Sequence, residues 1–131
     1  NFMNKIIVEV SIGELLDKIS ILEIKQEKIK DSESLNFINS EHSILKDQLE
    51  KKIKPNDKLN NLYKSLKEIN LKLWDIEDNK RKCEKDKDFG EKFIKLSRDV
   101  HFLNDDRAKI KLKINNHTGS VIKEIKKYTS Y

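Results

Sequence analysis

LWDIEDNKRKCE (73–84), DKDFGE (86–91) and KFIKLSRDVHFLNDDRAKIKLKIN (92–115) decide how this chain folds. On both sides of Asp88-Phe89-Gly90 the apolar residues recur at alternating steps of three and four, the period of one helix face. Leu73, Ile76 and Cys83 mark the seam before the turn, with Lys80 at the same spacing. Phe93, Leu96, Val100, Leu103, Ile110 and Ile114 mark it after the turn. Two long helices folded into an antiparallel hairpin satisfy this pattern. Arg107 occupies a seam position where a leucine is expected. Folding about Phe89 makes facing residue numbers sum to about 178. Arg107 then lies opposite Leu71, within about two turns of Asn70 and Glu77, and Lys80 meets Asp99. A guanidinium in an apolar seam needs a carboxylate, since an unpaired buried charge is too costly to persist. Glu77 and Glu23 are the candidates.

Working outward, the first hairpin helix extends back to Asp57 through Leu59, Leu62, Leu66 and Ile69 and forward to about Lys85. Lys54-Pro55-Asn56-Asp57 separates it from an earlier helix, because proline disfavours a helical residue before it and suits a helix's first turn. That earlier helix follows the break Asp31-Ser32-Glu33-Ser34 and carries Leu35, Ile38, Leu45 and Leu49, with His42 as a satisfied boundary residue. The first helix opens at Ser11-Ile12-Gly13-Glu14, which has the S-x-x-E form of a capping box, and runs to about Lys30. Its apolar residues Ile12, Leu15, Ile19, Leu22 and Ile29 are joined by Leu16, Ile21 and Ile24, more than one stripe can hold. Such a helix either sits centrally in the bundle or turns a second face, through Ile21 and Ile24, to another copy of the chain. His117-Thr118-Gly119 reads as the last helix's stop. Lys5–Val10 is short and β-branched, so it reads as extended. The tail 120–131 reads as a strand that pairs with it, with a short helix as the alternative. The fold class is therefore mainly α: an antiparallel bundle of about four helices in a single domain, with room for a two-stranded pairing of the termini. Met3 reads as the natural start, with Asn1 and Phe2 an extension.

Composition agrees with long helices and a thin core. Of 131 residues 39% are charged and 36% hydrophobic, and only three Gly and one Pro interrupt the chain. The net charge of +5 is concentrated from Arg107 to Tyr131, where seven basic residues face one acidic one. That stretch could meet phosphate backbones, yet no nucleic-acid motif accompanies it, so Lys109, Lys111, Lys113, Lys123, Lys126 and Lys127 read as a solvated face. Cys83 is the sole cysteine, which fits a reducing cytoplasm. No apolar run approaches the ~20 residues of a membrane span. Zinc motifs, P-loops and GxSxG elbows are absent, and no cofactor or metal is expected. The carboxylate pairs Glu23 with Glu27 and Asp75 with Asp78 have the spacing of helical Mg-dependent phosphohydrolases, but at this charge density such pairs usually face water. Trp74 lies beside the seam, as at a partly covered core edge.

VEVSIGELLDKISILEIKQEKI, LWDIEDNKRKCE, FGEKFIKLSRDVHFLNDDRAKIKLKIN and GSVIKEIKKY, in that order over nearly the whole chain, resemble an uncharacterised family of small helical bacterial and phage proteins, a domain of unknown function. The resemblance implies no established activity. It does imply that the family's recurrent polar positions, among them Glu23, Lys25, Glu77, Asp78, Asn104 and Arg107, form the cluster of interest. Trp74, Asp105 and Asn115 match those motifs too. Lys80-Arg81 departs from the pattern, which has an apolar residue before the arginine. The expected function is a non-enzymatic helical interaction or scaffold module that forms a homodimer or meets a protein partner. A small-anion binder or Mg-dependent phosphohydrolase-like enzyme using Arg107 with Glu77 or Glu23 is the alternative. Nucleic-acid binding by the basic C-terminal stretch is the second.

Overall fold

A computed structural model describes residues 4–131; Asn1–Met3, including the residue read as the start, lie outside it. Among the described residues four α-helices follow one another: α1 (Ile12–Lys28), α2 (Ser32–Lys52), α3 (Asp57–Asp86) and α4 (Glu91–Thr118). The breaks fall at the sequence's punctuation. Asp31 Oδ2 accepts from Ser34 N at 2.8 Å to open α2, and Asn56 Oδ1 accepts from Leu59 N at 2.8 Å to open α3. Lys87 adopts a left-handed conformation at the end of α3, and Gly119 does so at the end of α4, where the missing Cβ makes it free of strain. None of these helices is long and apolar enough to cross a membrane.

The helices run up, down, up, down around α1. Contacts between α1 and α2 are antiparallel, as in Glu23 with His42 and Gln26 with Asn39. α4 runs antiparallel to α1, from Gly13 with Asn115 to Asp17 with Arg107, and antiparallel to α3 in the hairpin, so α1 and α3 are parallel, touching from Asp17 with Asn70 to Lys28 with Asp75. The α3/α4 hairpin presents a groove into which α1 sets one side, while α2 covers the other. Leu16, Leu59, Leu66 and Ile114 form the buried apolar cluster, with Leu49 and Ile53 at the end of α2 packed against it. The widened apolar surface of α1 is thus explained by its central place. Ile24 is 1% exposed within the single chain, so it offers no surface to a second copy, and Ile21 is half-buried.

α3 is about 45 Å long and α1 only about 25 Å. Beyond the Lys28–Asp75 contact the hairpin continues as a two-helix arm, sealed near its tip by buried Cys83 and an edge-to-face Phe89–Phe93 pair at 5.5 Å. The expected register holds at the base of the arm, where Asp75 and Ile76 share a shallow recess with Phe102 and Leu103. Nearer the tip it shifts. Lys80 stands over the Phe93 ring at 5.7 Å rather than meeting Asp99, which is held by Lys95 one turn earlier at 2.7 Å.

The termini do not pair. Among the described residues there is no strand, and both Lys5–Val10 and the tail lack regular structure. Ser120 does meet the start of α1, but from there the tail turns back over α4. Glu124 reaches Lys111, and Tyr131 packs edge-on against His101 and Phe102 while its hydroxyl donates to Asp105. That course carries it away from the segment it was expected to join.

Candidate functional site

The polar centre of the molecule is a ladder along the α1/α4 contact. Arg107, Lys111 and Asn115 recur every four residues, one row on a helix face. Opposite them α1 presents Gly13, Glu14 and Asp17. Arg107 is bidentate on Asp17: Nε donates to Oδ1 at 3.0 Å and Nη2 to Oδ2 at 2.5 Å. Asn70 of α3 completes the shell, its Nδ2 donating to Asp17 Oδ1 and to Ser20 Oγ, both at 2.8 Å. Ser20 Oγ in turn donates to the Asp17 carbonyl at 2.7 Å. Three helices therefore meet on one carboxylate that is 1% exposed.

One rung further, Lys111 Nζ donates to Glu14 at 2.6 Å and to Glu124 at 3.3 Å and stands 3.7 Å from Asp17. The last rungs serve the first turn of α1, whose amides have no partner within their own helix. Asn115 Oδ1 accepts from Gly13 N at 2.7 Å, and Ser120 Oγ accepts from Ile12 N at 3.2 Å. Ser11 Oγ accepts from Glu14 N at 3.0 Å, and the Ser11 carbonyl accepts from Leu15 N at 3.1 Å. The capping box is consequently half formed: serine caps the helix, while the Glu14 side chain turns to Lys111. Ser11→Ala removes that cap and is expected to lower stability by about 1 kcal/mol, measured as a shift in urea midpoint.

At Gly13 α1 lies directly against α4. A Cβ there would lie 2.6 Å from the Lys111 carbonyl oxygen and 2.9 Å from Asn115 Oδ1.

The carboxylate of Arg107 is neither Glu77 nor Glu23. Glu77 and Asp78 lie on the exposed face of α3, with Asp78 bound one turn on by Lys82 at 3.3 Å. Lys25 is half-buried on α1, away from the ladder. Asn104 does approach Arg107, its Oδ1 accepting from Nη1 at 3.5 Å. Glu23 builds a separate cluster across α1, α2 and α3. Its Oε1 accepts from the Tyr63 hydroxyl at 2.5 Å, its Oε2 lies 2.9 Å from His42 Nε2, and Lys67 stands at 3.5 Å. Asp17 and Lys111 were missed as partners because a helix read for its apolar stripe hides a polar row. Gly13, Asp17 and Ser20, at steps of four and three on the apolar α1, were the available signal.

Burial pushes the Asp17 carboxyl up, but hydrogen bonds from Arg107 and Asn70 and the charges of Arg107 and Lys111 outweigh it and hold the group below its ordinary 3.8. Burial likewise opposes ionisation of Glu23, and Tyr63, His42 and Lys67 together hold it below 4.5. The same carboxylate pushes the Tyr63 hydroxyl up, behind the larger effect of burial. Both carboxyls are depressed by folding, so their stabilisation is complete above the ordinary carboxylate range and is lost as pH falls through and below it. Urea midpoints followed into acid should fall, and Glu23→Gln should flatten part of that slope.

A recess of about 290 Å3 opens beside the ladder between Arg107, Lys111, Lys126, Glu14 and Glu124. Both of its carboxylates are held by Lys111, which is nearly covered rather than part of a solvated basic face. Among the described residues no group of three or more His, Cys, Asp or Glu is placed to hold a metal ion. What the centre does chemically is join helices: among the described residues no buried side-chain nitrogen or oxygen lacks a hydrogen-bond partner.

A family model described as a family of unknown function, DUF6165, matches residues 6–131. No curated protein and no solved structure matches the chain.

Proposed function

The chain belongs to DUF6165, a family of unknown function, and from its geometry we propose that it is a non-enzymatic helical interaction module that associates with a second copy of itself. The observation that carries this reading is the contrast between its centre and its ends. Polar groups in the centre are engaged with one another, whereas large apolar side chains stand in solvent on both terminal segments: Ile6, Ile7 and Val8 before α1, Val121 and Ile125 after α4. Consecutive exposed apolar residues, as at Ile6-Ile7-Val8, are a mark of association surfaces where ones scattered singly are not.

Light scattering over a concentration series tests it. A dimeric mass is expected, and a monomer at every concentration would overturn the reading. Ile24→Glu is not the variant to separate the copies, because a charge at a position enclosed by its own chain unfolds the bundle instead.

A further inference from the structure

Lys5-Ile6-Ile7-Val8-Glu9-Val10 leads into α1 and has no regular structure. Ile6 is 91% and Ile7 87% exposed. Among the described residues, none of the backbone hydrogen bonds outside the helices involves residues 5–10. The segment nevertheless lies within the family's extent from Ile6 onward. It is tethered at one end to the buried N-cap Ser11. β-Branched side chains favour extended backbone, and unpaired extended backbone is a template for another strand.

We propose that Lys5–Val10 pairs antiparallel with the same segment of a second copy, about a twofold axis at Ile7. This deepens the self-association reading and rests on it. Charge selects the occupant and the register. With Ile7 opposite Ile7, each Lys5 faces the other copy's Glu9, and Ile6 faces Val8, so two opposite-charge pairs and an apolar centre form at once. Sliding by one residue in one direction sets Lys5 against Val10 and Glu9 against Ile6. In-register parallel pairing sets Lys5 against Lys5 and Glu9 against Glu9, which is repulsive. The alternation also places Lys5, Ile7 and Glu9 on one face and Ile6, Val8 and Val10 on the other.

A two-stranded ribbon needs its apolar face covered. Val121 and Ile122 follow Ser120, whose hydroxyl accepts from Ile12 N, and both are exposed at the corner where the segment enters α1. They supply the apolar surface against which the ribbon face closes.

The test is sedimentation equilibrium on the full chain, with Lys5→Glu, Glu9→Lys, their equimolar mixture, and the double variant. Each single variant places like charges opposite each other twice, so its dimer should weaken by about tenfold or more. The mixture should form the mixed pair at close to the original affinity, and the double variant should recover its own dimer. Ile7→Cys should also cross-link across the axis on oxidation, since directly opposed Cα atoms in an antiparallel pair are close enough for a disulfide and Cys83 is buried. A wild-type monomer at all concentrations overturns both self-association and the ribbon. A wild-type dimer that is indifferent to the charge changes and does not cross-link at Ile7→Cys overturns the ribbon alone.

Discussion

Arg107→Ala is expected to lower folding stability by about 3 kcal/mol, the low end of the range for breaking a buried ion pair. The loss arises less from the missing guanidinium than from the carboxylate left behind. Asp17 is enclosed by α1, α3 and α4, and Arg107 supplies two of its three direct hydrogen bonds. Asn70 remains in the variant, and Lys111 at 3.7 Å can move closer, which is why the upper end of the range is not expected. Arg107→Lys should recover only part of the loss, since a single ammonium cannot span both carboxylate oxygens. Removing the charge and its partner together, as Asp17→Asn with Arg107→Met, should be far less harmful than Arg107→Ala, because no uncompensated charge then remains inside. Denaturant midpoints for the singles and the double complete a mutant cycle. If Arg107→Ala costs below about 0.5 kcal/mol, the pair behaves like an exposed ion pair and does not hold the bundle.

Gly13→Ala should destabilise the protein by about 1–3 kcal/mol, or more if α1 cannot shift. The sign is the informative part. At an open helical position the same change stabilises by about 0.5–1 kcal/mol, because alanine has less backbone freedom to lose. Here the new methyl meets the Lys111 carbonyl oxygen, which is helical backbone and cannot rotate away. Relief requires α1 to lift from α4, which stretches the Gly13–Asn115 and Glu14–Lys111 contacts together. A stabilised Gly13→Ala variant would show that the two helices have slack at this point.

Both effects concern a ladder that was half legible beforehand. Arg107 stood out because a charge at a heptad-like apolar position has few explanations, and the need for a carboxylate followed from the cost of burying it. The identity of that carboxylate did not follow. Hairpin register relates α3 to α4 and nominates Glu77, but it contains no information about a third helix laid into the groove. Asp17 comes from that helix. Glu23 was nominated for the right helix and sits nearly two turns too far along it, where α2 and α3 supply His42 and Tyr63 instead.

Asn115 and Ser120 show the same division at the helix start. Ser11 as a cap could be read locally, since a serine two residues before a glycine and three before a glutamate has one obvious use. The partners of the next amides come from residues more than a hundred positions away, brought there by the return of α4.

Sequence alone determined the number of helices, their breaks and the antiparallel α3/α4 pairing, because those depend on apolar period, capping residues and one proline, all read within a few residues of each other. The tertiary structure alone decided that α1 is the centre, that Ile24 faces inward, that Asp17 is the partner of Arg107 and that the terminal segments stay apart. Each of these depends on which surfaces meet across long separations in the chain, and a helix with apolar residues on several sides is compatible with more than one set of neighbours until packing chooses among them.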